Sequence, residues 1–198
     1  MILIKQKYLI LIFFLVSSFF LSSCAKVVTG TAAKVVTVTK EERSIGEFVD
    51  DAIIKAVIKN SYFDQSEDIF FNVDVEVSQG RVLLTGTVKT INLKIEATRI
   101  AWGAKGVKTV INEIQISNSD NILNFADDLI ISTKVSGKLI LDEEVNSLNY
   151  NVETVNQVVY IIGIARSVDE KNKVIDIASE VFGVKEVIDY ITLTDNTD

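Results

Sequence analysis

The chain has 198 residues, a net charge of −7, one cysteine, no proline and no histidine. Without histidine it lacks the commonest metal ligand and general base, and with them every Ser-His-Asp or Cys-His arrangement. Acids and bases balance from Cys24 to Ser117, whereas acids dominate from Asn118 onward. That distribution disfavours nucleic-acid binding, which needs a basic footprint.

The chain opens with Lys5 and Lys7 ahead of an apolar run, Tyr8 to Phe20. The run is shorter than the about 20 apolar residues of a bilayer span and suits the core of a secretory signal. Leu21-Ser22-Ser23-Cys24 follows. This tetrapeptide resembles the bacterial lipobox: an aliphatic residue, two small ones, then cysteine. The resemblance implies a diacylglycerol thioether on Cys24 and cleavage before it, so that residues 1–23 are a lipoprotein signal peptide. Ala25, where an aspartate would favour inner-membrane retention, implies the outer membrane, with the protein facing the periplasm. Acyl chains hold such a protein through about 0.8 kcal/mol per buried CH₂. Residues 24–43, small, polar and valine-rich, read as a lipidated tether.

A first domain is expected over residues 44–117. Ser44 with Glu47 three residues on is a capping-box pattern. Val49, Ala52, Ile53, Ala56 and Val57 follow the 3.6 period of a helix ending near Lys59, which makes them the expected core stripe. "FNVDVEVS", Phe71 to Ser78, alternates as a half-buried strand. Gln79-Gly80 marks a hairpin turn, and Arg81 to Val88 returns. A second helix, about Asn92 to Ala104, carries Leu93, Ala97, Ile100, Ala101 and Ala104 on one stripe. Gly106 stands where a left-handed helix terminator belongs. Val107 to Ser117 is the last strand.

The same plan then repeats without a gap. Phe48 to Ile54 falls on Phe125 to Ile131, "VLLTGTV" (Val82 to Val88) on "VYIIGIA" (Val159 to Ala165), and "GVKTVINEI" (Gly106 to Ile114) on "GVKEVIDYI" (Gly183 to Ile191). Matches at start, middle and end indicate a duplicated domain. The second copy covers residues 121–194, with Asn156 at the hairpin and Val174, Ile177, Ala178 and Val181 on its second helix. The fold class is therefore α+β: two tandem αββαβ domains, each with two helices packed on one face of a three-stranded sheet.

The αββαβ repeat, the glycine closing the second strand ("LLTG", "YIIG") and the "GVK-V" ending resemble the BON domain. With the lipobox, the whole chain is similar to dual-BON outer-membrane lipoproteins. "RSIGEFVDD" (Arg43 to Asp51), "GRVLLTG" (Gly80 to Gly86) and "IISTKV" (Ile130 to Val135) carry the resemblance. It implies a non-enzymatic role in envelope integrity, with the second domain contacting anionic membrane phospholipid. The contact would use the helix Phe125 to Leu141. Ile130 falls where a tryptophan enters the lipid interface; Lys134, Val135, Ile140 and Leu141 complete the implied lipid-binding set.

Read on its own residues, that helix is apolar beyond one stripe. Leu129, Ile130 and Thr133 match the expected core positions of the first copy, while Ile131, Val135 and Lys138 lie on another flank. Such a helix is either covered by a neighbouring domain or laid on a membrane. Two lysines among Asp127, Asp128 and Asp142 make any insertion mainly hydrophobic. The paired carboxylates Asp50-Asp51 and Asp127-Asp128 read as first-turn charges favouring the helix dipole. Trp102, the single tryptophan, lies off its helix's apolar stripe, either exposed or covering a sheet edge. "VVYII", Val158 to Ile162, is apolar on both faces, and strands of that kind are usually covered on both. Its outer face, Val158, Tyr160 and Ile162, is expected to dock the first domain. No phosphate-binding glycine loop occurs, and no cofactor, metal or catalytic residue is expected. The alternative to phospholipid is an envelope protein partner bound by one or both domains.

Overall fold

The computed structural model describes residues 45–117 and 122–194. The signal segment, Cys24, the tether and Ser44 lie outside the described residues. The first domain runs α1 (Ile45–Gln65), α2 (Glu67–Asn72), β1 (Val73–Ser78), β2 (Arg81–Val88), α3 (Ile91–Gly103), β3 (Thr109–Asn112) and β4 (Gln115–Ile116). The second runs α4 (Ile122–Leu141), a 3-10 turn (Ser147–Asn149), β5 (Tyr150–Val155), β6 (Val158–Ala165), α5 (Val168–Ser179) and β7 (Glu186–Leu193).

Each sheet is built around its second strand. β2 pairs antiparallel with β1 and parallel with β3 and β4; β6 pairs antiparallel with β5 and parallel with β7. The parallel pairings need crossovers, which α3 and α5 supply. β3 and β4 together take the place of β7, interrupted at Glu113 and Ile114. The expected αββαβ tandem stands.

The first helix departs from its expected end. It continues to Gln65, and Ser66 then adopts an extended backbone and accepts a hydrogen bond from the Ile69 amide (3.3 Å). That cap, with Glu67 and Asp68 in the new first turn, starts α2. The strand therefore begins at Val73, and Phe71 ends on a helix, exposed, instead of sharing the inner face of β1.

The expected core stripe of α1 is also reversed. Val49, Ile53 and Val57 face solvent, and Ile54, Ile58 and Tyr62 enter the core with Val73, Val75, Val77, Val82, Leu84, Ala97 and Ala101. Two apolar stripes run along opposite sides of this helix, and periodicity alone does not say which meets the sheet. Two polar contacts on the buried side settle it. The Tyr62 hydroxyl donates to the Ala97 carbonyl (2.9 Å), and burial raises its pKa. Buried Asp51 accepts from the Gln79 and Gly80 amides, both at 2.7 Å. Those amides belong to the β1–β2 turn, where Gln79 and Gly80 both have positive φ. The second domain repeats the clamp: Asp128 accepts from the Asn156 and Gln157 amides at 2.7 Å. Asp51 and Asp128 thus hold hairpins. They and their neighbours Asp50 and Asp127 lie beyond the first turn of their helices, so the dipole reading is corrected for all four.

The two domains pack sheet to sheet. The helices of each cover one face of its own sheet; Leu83, Val155, Tyr160 and Ile162 fill the space between the other faces, flanked by Ile111, Val158, Ile188 and Tyr190. The docking expected of the "VVYII" strand is what the structure shows. Polar links surround this cluster. Asn151 Nδ2 donates to the Val77 carbonyl (3.3 Å), Asn156 Nδ2 to Gln115 Oε1 (2.6 Å), and the Tyr190 hydroxyl to the Glu113 carboxylate. Glu113 and Tyr190 are repeat counterparts, as are Leu83 and Tyr160, and Ile111 and Ile188. Counterparts that meet one another mark an approximate two-fold axis through the interface. The resulting order of layers is helix, sheet, sheet, helix.

Candidate functional site

Helix α4 forms the outer layer of the second domain. Its rotation is set by Ile131, Val135 and Leu139, spaced four apart and buried against β5, β6 and α5, and by the Asp128 clamp. Ser132 adds a hydroxyl bond to Thr154 Oγ1 on β5 (2.8 Å).

The opposite side of α4 is apolar and open. Phe125, Leu129, Ile130, Ile140 and Leu141 are exposed, Ile130 to 49% and Leu141 to 83%. Helical spacing places them on one stripe with Thr133 and Gly137 between. The Thr133 hydroxyl donates to the Leu129 carbonyl (2.8 Å), so its polar atom is already satisfied on the backbone. Lys134 stands at the stripe's edge, exposed, with no ion pair among the described residues. Lys138 lies 3.9 Å from Glu180, a distance that leaves a weak, solvent-screened pair. Past the helix end, Lys173 is 3.6 Å from Asp142 and 3.2 Å from Glu144. The hydrogen bond to Glu144, with the Asp142 charge, holds the Lys173 ammonium above the usual lysine range.

Of the implied lipid-binding residues, Ile130, Lys134, Ile140 and Leu141 share this outward face. Val135 does not: it is fully buried in the second core, one flank away, and the reading of it as a surface contact is corrected. Leu129, Ile130 and Thr133, matched through the repeat to core positions, all face outward, because this helix has the same stripe reversal as α1. Leu148, exposed beyond the helix end, was not singled out from the sequence. The repeat carries the signal for it, since Leu148 falls on Phe71, which is exposed in the first domain.

The first domain cannot cover this stripe. The sheets meet at the centre of the four layers and α4 lies on the far side of its own sheet, so interdomain packing of its outer face is ruled out. The first domain has its own outward apolar surface, with Phe48, Val49, Ile53 and Val57 on α1 and Ile91, Ile95 and Trp102 on α3 all exposed. The layer order points it away from the α4 stripe. No helix among the described residues is long and apolar enough to cross a membrane. Two surface depressions beside α5 are open grooves bordered by charged side chains such as Lys173, Asp142 and Glu170. An open apolar stripe on a hydrogen-bonded helix can bury area against another surface, and it presents no group to a reacting atom.

The BON domain family matches the chain twice, over residues 50–118 and 127–195. An uncharacterized protein from the gshII 5′ region of Anaplasma centrale is 41% identical over 146 residues, covering 73% of this chain and 95% of that one. The outer membrane lipoprotein DolP of Haemophilus influenzae is 30% identical over 176 residues, covering 87% and 89%. The osmotically-inducible protein Y of Escherichia coli is 29% identical over 145 residues, covering 72% of each.

Proposed function

Because the chain belongs to the BON-domain family and carries the domain twice, we propose that it is a non-enzymatic lipoprotein of the cell envelope. Acyl chains on Cys24 anchor it in the outer membrane, facing the periplasm, and its second domain lays the outer stripe of α4 on phospholipid to support envelope integrity. The observation that carries this reading is the stripe itself: five large apolar side chains exposed on one face of a helix that no part of the first domain reaches. Its similarity to an outer membrane lipoprotein along most of the chain supports the anchor and the compartment.

The test is vesicle sedimentation of the mature chain with Cys24→Ser, so that acyl chains do not mask weaker contacts. The wild-type stripe brings the protein down with the vesicles. Ile130→Asp removes an apolar contact worth about 1.5–3 kcal/mol when buried, which corresponds to roughly a tenfold loss or more. Absence of binding at every lipid composition removes the phospholipid reading.

A second reading is favoured by the outer surface of the first domain. It is apolar on both helices and faces away from α4, so one flat bilayer cannot take both. With α4 on lipid, the α1 and α3 face is left toward an envelope protein partner.

A further inference from the structure

The interface between the domains also brings carboxylates together. On β1, Val73, Val75 and Val77 point into the first core, and Asp74 and Glu76 point the other way, toward the second domain. Glu153 on β5 is the repeat counterpart of Glu76, and the approximate two-fold axis sets the two against each other. On the same face of β5, Asn151 reaches the Val77 carbonyl of β1 (3.3 Å) and Val155 joins the interface cluster, so Glu153 between them lies against β1, close to the charges of Glu76 and Asp74. Among the described residues the cation facing the group is Lys55 of α1, whose Nζ lies 2.6 Å from Glu76 Oε1 and whose side chain is 44% exposed. Carboxylates held together at a buried interface favour a proton on one of them, which then bonds to the other.

We propose that Glu76 and Glu153 form a proton-sharing carboxyl pair across the domain interface, and that this proton makes docking of the two domains tighter in acid. The cause is the one that separates the titrations of paired catalytic carboxylates: like charges held together do not both ionise. Burial, then the charges of Asp74 and Glu76, push the Glu153 carboxyl up to about 8, against the smaller opposing pull of Lys55.

The sign follows from linkage. Glu153 holds its proton more firmly when the domains are docked than when they part. Docking is therefore strongest below the ordinary carboxylate range and weakens as pH rises, becoming independent of pH once both states are ionised. Between those limits one proton is released on undocking, and the docking equilibrium changes by about tenfold per pH unit.

The test uses the full chain with its acyl chains, in neutral detergent. Hydrogen exchange of β1 and β5, corrected for the intrinsic rate, is followed from about pH 5 to about pH 8, and wild-type protection is expected to fall by up to about tenfold per unit. Glu153→Gln, whose amide stands in for the protonated acid, removes that slope. The same slope in wild type and variant overturns the proposal. A second readout does not depend on the variant's stability. Carbon-13 spectra of glutamate-labelled protein contain one carboxyl that titrates well above the others, and Glu76→Gln lowers its midpoint. All glutamates titrating in the ordinary range also overturns it.

Discussion

Single residues in this fold are constrained by backbone that passes very close to them. Gly163 lies where an added Cβ would stand 2.3 Å from the Asn149 carbonyl, and Gly86 where it would stand 2.1 Å from that of Asn72. Those carbonyls end the segments leading into β5 and β1, which explains why a glycine stands opposite the start of the first strand in both copies. Gly163→Ala should cost about 3 kcal/mol or more, because backbone has to move. Gly137→Ala is the contrast: nothing lies within 4 Å of its Cβ position. A helical Gly→Ala change should stabilise by about 0.5–1 kcal/mol. Denaturant unfolding of the two variants beside wild type checks both signs. Asp128 is constrained by charge and geometry together. Asp128→Asn turns one of two acceptors into a donor facing a backbone N–H, and the same measurement should show a loss of about 2 kcal/mol.

At the scale of the element, the bilayer contact proposed for α4 rests on area more than charge. Lys134 is the one cation on the stripe's edge without an ion pair among the described residues, and the chain after Ser117 is acidic. Vesicle binding should therefore change little between low and high salt, since only a charge-driven contact is screened. Binding that collapses as salt rises counts against an apolar contact. Ile130→Trp should strengthen binding severalfold, because tryptophan favours the membrane interface more than isoleucine does. Much of this element was legible: the sequence carries its C-terminal end and its excess of apolar residues, and the BON resemblance carries its outward Ile130, Lys134, Ile140 and Leu141. Its rotation was not. Val135 looked like a surface residue and Leu129 like a core one because the helix is apolar on two opposite sides. What orients it is a long-range bond from Asp128 to a turn 28 residues away, and no local pattern encodes such a bond. The α3 stripe of Ala97, Ile100, Ala101 and Ala104 was read correctly, since the buried set there forms one continuous run of helical neighbours.

For the whole molecule, the two small domains share a structural task. Neither sheet could leave its second face in water: Leu83, Tyr160 and Ile162 are almost fully buried, and each lies between the sheets. Burial of one such side chain contributes about 1.5–3 kcal/mol, a sizeable share of the stability of a small domain. The domains should accordingly unfold together in a single calorimetric transition. Leu83→Arg removes an apolar contact at the centre of the interface and puts a charge opposite Tyr160 and Ile162 with no partner provided, which is costly unless the domains separate. Leu83 points away from the first core, whose cluster is formed by Val82 and Leu84 on the other face of β2. Each domain therefore keeps its own core in the variant, and the single transition should split in two. Vesicle binding should survive, because the α4 stripe lies on the opposite side of its sheet from the interface. Loss of binding in a variant with two intact transitions means instead that lipid contact needs both domains docked.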